Sequence, residues 1–381
     1  MIKKQGKIDA ILLIVVVVLV IFGIVMVFSA SYYSTISADA GPYQYLRLSL
    51  QWAIAGFIVM AVASFIPYRV YFRLAPLAIA ASLIFLVALY TPLGLEINGA
   101  TRWIGIPGTE LTFMPGEFAK LAIILGGAWY YTKYANRTKS FIYGFGVVVI
   151  AAAAYFLLIY EQPNLSTAVI VVITVVGIMF LAGVPFGYLI GAGIAGGLAV
   201  YYMVQAREGE HLNRITGFMD PFSDAQGEFY QTVQGLLALG AGGLTGTGLG
   251  NSVQKALWLP FAQNDFIFAI IGEETGFIGC ILVIIAFLIL VWRCMLIAMR
   301  CKDRFGMLLA GGVAVLFALQ VGINIGVVTS FLPPTGVILP FISYGGNAII
   351  LFMFLIGVVL NISRGDAPES AVRRRKREEA A

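Results

Sequence analysis

The chain has 381 residues, of which 60% are hydrophobic and 11% are charged, and its mean hydropathy is +0.93. A soluble globular domain carries about 25% charged residues, so this composition excludes one. Apolar runs of about 18 residues or more are typical of transmembrane helices. The sequence therefore predicts an all-α polytopic membrane protein.

In chain order, the apolar runs predict about ten transmembrane helices. Their ranges are 9–29, 48–66, 73–91, 116–134, 141–160, 165–183, 186–204, 265–292, 305–331 and 341–362. The first run follows three lysines and resembles a signal peptide, but no small-residue cleavage site follows cleanly, so we interpret it as a retained helix. We expect residues 1–365 to form one transmembrane domain and residues 366–381 a basic tail.

The longest polar segment is loop 205–264, between the seventh and eighth predicted spans. It is rich in glycine and contains Pro221, Pro260 and several carboxylates. Long loops in compact proteins are usually functional or disordered, and this one has too many aromatic and apolar residues for a disordered linker. We therefore predict a large folded cap over one face of the membrane domain.

Lysine and arginine are distributed unevenly over the predicted loops. With the N-terminus in the cytoplasm, 18 of the 24 basic residues lie on inner segments, including the run Arg373–Arg377. Because cytoplasmic loops carry the excess of positive charge, we predict that both termini are cytoplasmic. Loops 92–115, 161–164 and 333–340 then share the outer face with loop 205–264, and the basic tail is expected to contact anionic membrane lipids.

A few ionisable residues fall at predicted membrane depth or at its outer edge. Such residues cost about 2.5–3.5 kcal/mol at the bilayer centre, so they usually face the protein interior and have partners. Glu117 and Lys120 lie on one helix face, where they either only hold helices together or take part in function. Asp265 follows Asn264 where a helix can begin, so it is either a helix cap or a functional carboxylate. Glu273 lies deeper in the same predicted span.

Other chemistries fail for lack of residues. His211 is the only histidine, and Cys280, Cys294 and Cys301 lie in or beside one span, so the sequence offers neither a zinc cluster nor a disulfide pattern. The run LALGAGGLTGTGLGN lacks the order of a nucleotide-binding loop. It is either a tightly turned loop or one whose backbone N–H groups approach a lipid diphosphate. We expect no nucleic-acid partner.

Five segments of the chain resemble one known family. They are NGATRWI (98–104), QPNLSTA (162–168), DPFSDAQGEFYQTVQGLLALGAGGLTGTGLGNSVQK (220–255), LPFAQNDFIFAIIGEETGFIG (259–279) and PPTGVILPFISYGG (333–346). Together with the ten predicted spans, they are similar to the SEDS family of shape, elongation, division and sporulation proteins. The resemblance covers nearly the whole chain and is closer to the FtsW and SpoVE branch than to RodA.

The resemblance implies an activity, a substrate and partners. SEDS proteins polymerise glycan strands from lipid II, the undecaprenyl-diphosphate-linked disaccharide peptide, on the outer face of the bacterial plasma membrane. They work with a class B penicillin-binding protein and other division or elongation membrane proteins. The match makes Asp265 the catalytic residue, a general base or electrostatic activator for the acceptor hydroxyl. Candidates for binding sugar or diphosphate are Arg102, Trp103, Glu117, Lys120, Arg214, Gln254, Lys255, Glu273, Thr335, Ser343 and Tyr344.

The chain departs from the family pattern at four outer positions. Asn164 stands where the family usually has Asp, Phe261 and Gln263 where it has Glu and His, and Asn347 where it has Ser. Fewer carboxylates weaken the case for a metal site, because Mg²⁺ prefers carboxylate and phosphate oxygens. We therefore assign no metal ligands, although Mg²⁺ or Mn²⁺ would ease departure of the diphosphate. Two other functions stay open, a lipid II flippase and a non-catalytic scaffold for the penicillin-binding protein.

Overall fold

The computed structural model describes residues 6–37, 41–97, 99–105, 112–206, 218, 220–227, 229–256 and 258–365. Two residues considered above, Arg214 and His211, lie outside the described residues, as does the predicted basic tail 366–381. Most of the described chain is helical, which confirms the predicted all-α fold class.

The α-helices lie close to the predicted spans, with one additional helix in the predicted loop 205–264. They are α1 (Ala10–Ser37), α2 (Gln44–Phe65), α3 (Arg69–Ala88), α4 (Pro115–Lys133), α5 (Val147–Tyr160), α6 (Leu165–Ala182), α7 (Phe186–Ala206), α8 (Tyr230–Gly242), α9 (Ile267–Arg300), α10 (Arg304–Val328) and α11 (Gly346–Ser363). A π-helical turn, Phe141–Gly146, leads into α5. The largest differences are at the C-terminal ends of α1 and α9, which extend beyond the predicted residues 29 and 292.

Within the described residues, eight helices are long and apolar enough to cross a membrane. They include α1, α2, α3, α6 and the joined segment Phe141–Tyr160, with α9, α10 and α11 later in the chain. Helices α4 and α7 occupy the other two predicted spans but are not among the eight, and α4 carries Glu117, Lys120 and Lys133. A multi-pass membrane protein is therefore confirmed, whereas the count of ten spans stays a prediction.

The interior of the bundle is formed by α4, α6, α10 and α11, of which α4 and α10 each pack against the other three. Helix α11 also packs closely along α2, and Gly357 lets the two backbones approach. A Cβ at Gly357 would lie 3.0 Å from Met60 Cα, tighter than ordinary van der Waals contact. Small residues are enriched where membrane helices pack closely. Many large apolar side chains on α1, α2, α3 and α5 are exposed, as expected for surfaces that face lipid.

The loop between α3 and α4 contains a small sheet that we did not predict. Strands β1 (Gly94–Ile97), β2 (Ala100–Gly105) and β3 (Thr112–Phe113) form an antiparallel sheet in the order β1-β2-β3. Asn347, at the start of α11, donates its side-chain N–H to Thr112 O at 2.8 Å and so ties this sheet to the helix bundle.

The described part of loop 205–264 contains regular structure that packs against the helix bundle, whereas a cap over one face of the membrane domain stays a prediction. A 3₁₀ turn, Pro221–Asp224, is followed by α8, which packs against the first turns of α9. Gly235 of α8 leaves room for the Phe266 ring, because a Cβ there would lie 2.8 Å from Phe266 Cδ1. The glycine-rich residues that follow α8 lie in a break in α9.

Helix α9 is broken at Gly276, whose φ of 69° and ψ of −170° are not helical. An L residue with a side chain would be strained there. The glycine-rich residues 243–248 lie in the break and bind the backbone groups that it frees. Four hydrogen bonds join them: Thr247 N–H to Glu273 O (2.9 Å), Gly248 N–H to Glu274 O (3.1 Å), Phe277 N–H to Gly243 O (2.9 Å) and Ile278 N–H to Leu244 O (3.1 Å). Of the two interpretations of this run, the tightly turned loop is the one that the structure supports.

Candidate functional site

Asp265 is the first residue of the predicted eighth span, but in the structure it lies two residues before α9, which begins at Ile267. The residue at the helix N-terminus is Phe266, which makes no side-chain capping bond. Within the described residues, the Asp265 carboxylate has no hydrogen bond or ion pair with another side chain. Burial raises its pKa to about 6, with a smaller opposing effect from its own backbone amide. A carboxyl group with this pKa is mostly ionised at pH 7 and can accept a proton.

One wall beside Asp265 is the irregular segment 333–345, between α10 and α11. A Cβ built on Gly336 would lie 3.8 Å from Asp265 Oδ2, so the carboxylate faces this backbone closely. The preceding residue, Thr335, accepts a hydrogen bond from Ser166 Oγ through its backbone oxygen at 2.6 Å. The Thr335 hydroxyl is buried without a partner, which leaves it able to bind a substrate group.

Asn324 of α10 connects this wall to Asp265. Its side-chain nitrogen donates to Asp265 O at 2.7 Å and to Val337 O at 2.6 Å. Because one amide nitrogen carries two hydrogens, both bonds form at once. Its Oδ1 atom is buried without a partner. One side chain therefore holds two backbone segments that are far apart in sequence.

Glu117 and Lys120 form a buried ion pair near the start of α4. Lys120 Nζ lies 2.6 Å from Glu117 Oε1 and 2.8 Å from Gln320 Oε1 of α10. Gln320 in turn donates to Ile338 O at 3.4 Å, so the pair is joined to the same irregular wall. The second carboxylate oxygen, Glu117 Oε2, has no partner. The pair both holds helices together and lies within one polar network with the wall beside Asp265.

Lys255 and Glu273 lie in a second buried network, which fixes the glycine-rich loop. Lys255 Nζ is 2.6 Å from Glu274 Oε1 and 2.8 Å from Ser29 Oγ of α1. The Glu273 carboxylate accepts hydrogen bonds from Ser252 Oγ and, at 2.8 Å, from the N–H of Val253. The ammonium of Lys255 already has an anionic partner, so its predicted role in binding diphosphate stays a prediction.

The remaining predicted binding residues are placed as follows. Arg102 of β2 donates to the backbone oxygens of Gln162 and Pro163, and Trp103 pairs with Leu95 across the sheet. The structure therefore places Arg102 against the loop between α5 and α6. It does not describe Arg214.

Three more of them lie at turns near the site. The side-chain oxygen of Gln254 is buried without a partner. Ser343 Oγ accepts from Leu339 N–H at 2.8 Å and so closes the turn before α11. Tyr344 donates its backbone N–H to Gln263 O at 2.9 Å, which fixes the segment just before Asp265.

Two of these four departures from the family pattern have a side-chain role in the structure. Asn164 is the N-cap of α6, where its side chain accepts from Thr167 N–H, a role that an amide fills as well as a carboxylate. Asn347 binds the sheet through its side-chain amide. Gln263 is buried, but it accepts from Tyr344 N–H through its backbone oxygen, a bond that any residue could make, so this contact does not explain the glutamine. Phe261 is exposed with a φ of 50°, and nothing in the structure explains it.

A divalent cation held by protein ligands alone does not fit the described residues. No three His, Cys, Asp or Glu side chains come together among them. The hard cations Mg²⁺ and Mn²⁺ prefer carboxylate and phosphate oxygens. We therefore derive no step through a bound metal.

Sequence reasoning missed Gln320 and Asn324, which join the site together. A signal was present, because the two amides are four residues apart in an otherwise apolar span and so share one helix face. Both are buried, at 0% and 1% exposure. Polar side chains inside membrane helices usually bind across to another element, as these do.

The fold and the site together define a multi-pass membrane protein with a carboxylate of raised pKa, Asp265, just before helix α9. A family model described as a cell cycle protein, for FtsW, RodA and SpoVE, matches residues 9–367. The chain therefore belongs to the FtsW, RodA and SpoVE family, as its sequence motifs predict.

Individual relatives are similar over almost their whole length. The probable peptidoglycan glycosyltransferase FtsW of Trichlorobacter lovleyi is 39% identical over 366 residues, covering 95% of this chain and 94% of that protein. Stage V sporulation protein E of Bacillus subtilis is 35% identical over 365 residues, covering 96% and 99%. A chain from a solved peptidoglycan synthase complex, described as coordinating polymerization and crosslinking, has a TM-score of 0.79. It is 25% identical, and the match covers 95% of this chain and 99% of that one.

Proposed function

We propose that this chain is a peptidoglycan glycosyltransferase that polymerises lipid II on the outer face of the bacterial plasma membrane, during division or sporulation. The observation that carries the proposal is the Asp265 carboxylate. It has a raised pKa, no side-chain partner among the described residues and a position at the end of α9 that is predicted to be outer. The names of the relatives support the same activity.

In the proposed reaction, Asp265 acts as general base. It accepts the proton of the 4-hydroxyl of an acceptor N-acetylglucosamine while that oxygen bonds to C1 of the donor N-acetylmuramic acid. The C1–O bond to diphosphate breaks, and undecaprenyl diphosphate leaves with the electron pair. A base must lie within hydrogen-bond reach of the proton that it takes.

The two other functions are less well supported. A flippase would need polar groups along a path through the membrane. Glu117 and Lys120 are the third and sixth residues of α4, and Glu273 and Glu274 are the seventh and eighth of α9. At 1.5 Å per residue, all four lie within about 11 Å of the helix ends predicted to be outer. A scaffold would not require an ionisable residue at position 265.

The partners of the proposed enzyme follow from its relatives. The solved neighbour is part of a peptidoglycan synthase complex, and we propose that a class B penicillin-binding protein crosslinks the strands that this chain makes. Other division or elongation membrane proteins would join them. Both termini would then lie in the cytoplasm, opposite the site.

The test is polymerisation of purified lipid II by the full-length protein together with its cognate penicillin-binding protein. We expect glycan ladders from the wild type and none from Asp265→Asn, which keeps the shape of the side chain but cannot accept the proton. Asp220→Asn is the matched control, because Asp220 is an exposed aspartate of the same loop, and it should polymerise like the wild type.

The alternatives predict different results. Ladders of normal length from Asp265→Asn would refute the assignment of the base. Absence of ladders from a folded wild type with its partner would refute the glycosyltransferase. Lipid II transfer between leaflets by that same protein would then support the flippase.

A further inference from the structure

The position of Asp265 depends on its backbone and not on its side chain. No other side chain among the described residues holds the carboxylate, whereas its carbonyl oxygen accepts a short hydrogen bond, 2.7 Å, from Asn324. The residue lies in a turn before α9, where no helical hydrogen-bond pattern fixes the chain. This bond from α10 is therefore a main restraint on where the carboxylate lies.

The same amide also fixes the facing wall. Asn324 donates to Val337 O at 2.6 Å, and Val337 follows Gly336, whose backbone lies against Asp265 Oδ2. The distance between the carboxylate and the wall is thus set by one side chain that binds both. Asn324 is buried, with 1% exposure, so water cannot easily replace its two hydrogen bonds.

We propose that Asn324 is a positioning residue for the reaction, which sets the separation between the Asp265 carboxylate and the backbone at Gly336 and Val337 where the acceptor sugar binds. The inference rests on the proposed glycosyltransferase activity. Asn324 does not touch the reacting atoms in this assignment. It acts through the two carbonyl groups, and its loss lets the base move relative to the bound hydroxyl.

A graded series of substitutions tests this role. Asn324 has two donor hydrogens for the two carbonyls, Asn324→Thr keeps one hydroxyl donor, and Asn324→Leu has none at a similar volume. We expect kcat for lipid II polymerisation to fall in that order, reaching a loss of ~10²-fold for Asn324→Leu, the size of effect that a 1 Å misplacement produces. KM should stay within about twofold, since a positioning residue acts on the bound complex.

The matched control is Asn361 of α11, which is also a buried asparagine that binds two backbone groups. It donates to Ser64 O at 2.8 Å and accepts from Tyr68 N–H at 2.8 Å, at the opposite end of the bundle from Asp265. We expect Asn361→Leu to lower thermal stability but to leave kcat per folded protein within about twofold of wild type.

Three results would overturn the inference while the proposed function stands. They are wild-type kcat in folded Asn324→Leu or Asn324→Thr, a rise in KM at unchanged kcat, and an equal loss of kcat in Asn361→Leu. Failure of the wild type itself, with its partner present, would instead refute the proposed function and this inference with it. If Asn324→Leu does not fold, Asn324→Thr alone still decides, through the split between kcat and KM.

Discussion

The contact between α8 and α9 allows a sharp test with two glycines of the same helix. A Cβ on Gly242 would lie 2.8 Å from the carbonyl carbon of Gly272 and 3.0 Å from Glu273 Cα, and closer still to Gly272 O. Ordinary contact begins at 3.4 Å, so relieving the contact with the Gly272 carbonyl carbon alone takes about 0.6 Å, and the closer Gly272 O requires the two backbones to separate further. Overpacking of this kind costs about 1–3 kcal/mol. We therefore expect Gly242→Ala to lower the free energy of unfolding by at least that amount.

Gly240 is the control, because a Cβ there would meet nothing within 4 Å. Replacing glycine by alanine inside a helix stabilises it by about 0.5–1 kcal/mol, so Gly240→Ala should raise stability. The measurement is unfolding of the purified protein in detergent, followed by its intrinsic tryptophan fluorescence as denaturant is added. Equal shifts of the two variants, in either direction, would refute the packing that we describe. Gly242→Ala should also reduce polymerisation, since the displaced backbone carries Glu273.

Two further predictions concern ionisable groups. First, kcat/KM should fall as the pH drops through about 6, the pKa to which burial raises Asp265, because a protonated carboxyl group cannot act as a base. A pH–rate profile that stays flat from pH 5 to 8 would contradict this prediction. The same shift has a consequence for stability: the folded pKa exceeds the ordinary value of about 3.9, so ionisation of Asp265 reduces stability progressively as the pH rises from about 4 to about 6. Second, Lys255→Met should cost about 3–5 kcal/mol by leaving Glu274 buried and charged, while Lys255→Met combined with Glu274→Gln should cost less than the sum of the single changes. A double-mutant cycle measured by denaturant unfolding checks this, and simple additivity would mean that the pair does not interact in the membrane.

The helices were predictable because apolar runs in a membrane protein need no long-range information. The residues at which the helices end were harder to predict. Helix α1 continues to Ser37 through serine and tyrosine residues, which carry no strong apolar signal and so hide the last turns. The start of α9 at Ile267 was also uncertain, because Asn264 and Asp265 offer capping side chains three and two residues earlier, whereas the observed N-cap is Phe266, which makes no side-chain capping bond.

The features that depend on distant partners could not be predicted. The sequence shows that Lys255 is charged and lies in a glycine-rich loop, but not that Glu274 and Ser29 surround its ammonium. Likewise, Gly276 is one of 43 glycines, and only the three-dimensional contacts identify it as the break in α9. Asp265 was found through a motif, whereas Asn324 belongs to the site only because two separate backbones meet at its amide.

The break in α9 also has a consequence for how the protein is made. Residues 243–248 are synthesised before Gly276 and lie only about thirty positions ahead of it, so they are available when α9 enters the bilayer. Exposed backbone groups in a bilayer cost several kcal/mol each, and α9 alone would present four of them at the break. The loop and the helix therefore have to enter the membrane as one unit, and a nascent chain that stops after Ile278 should already contain the complete joint.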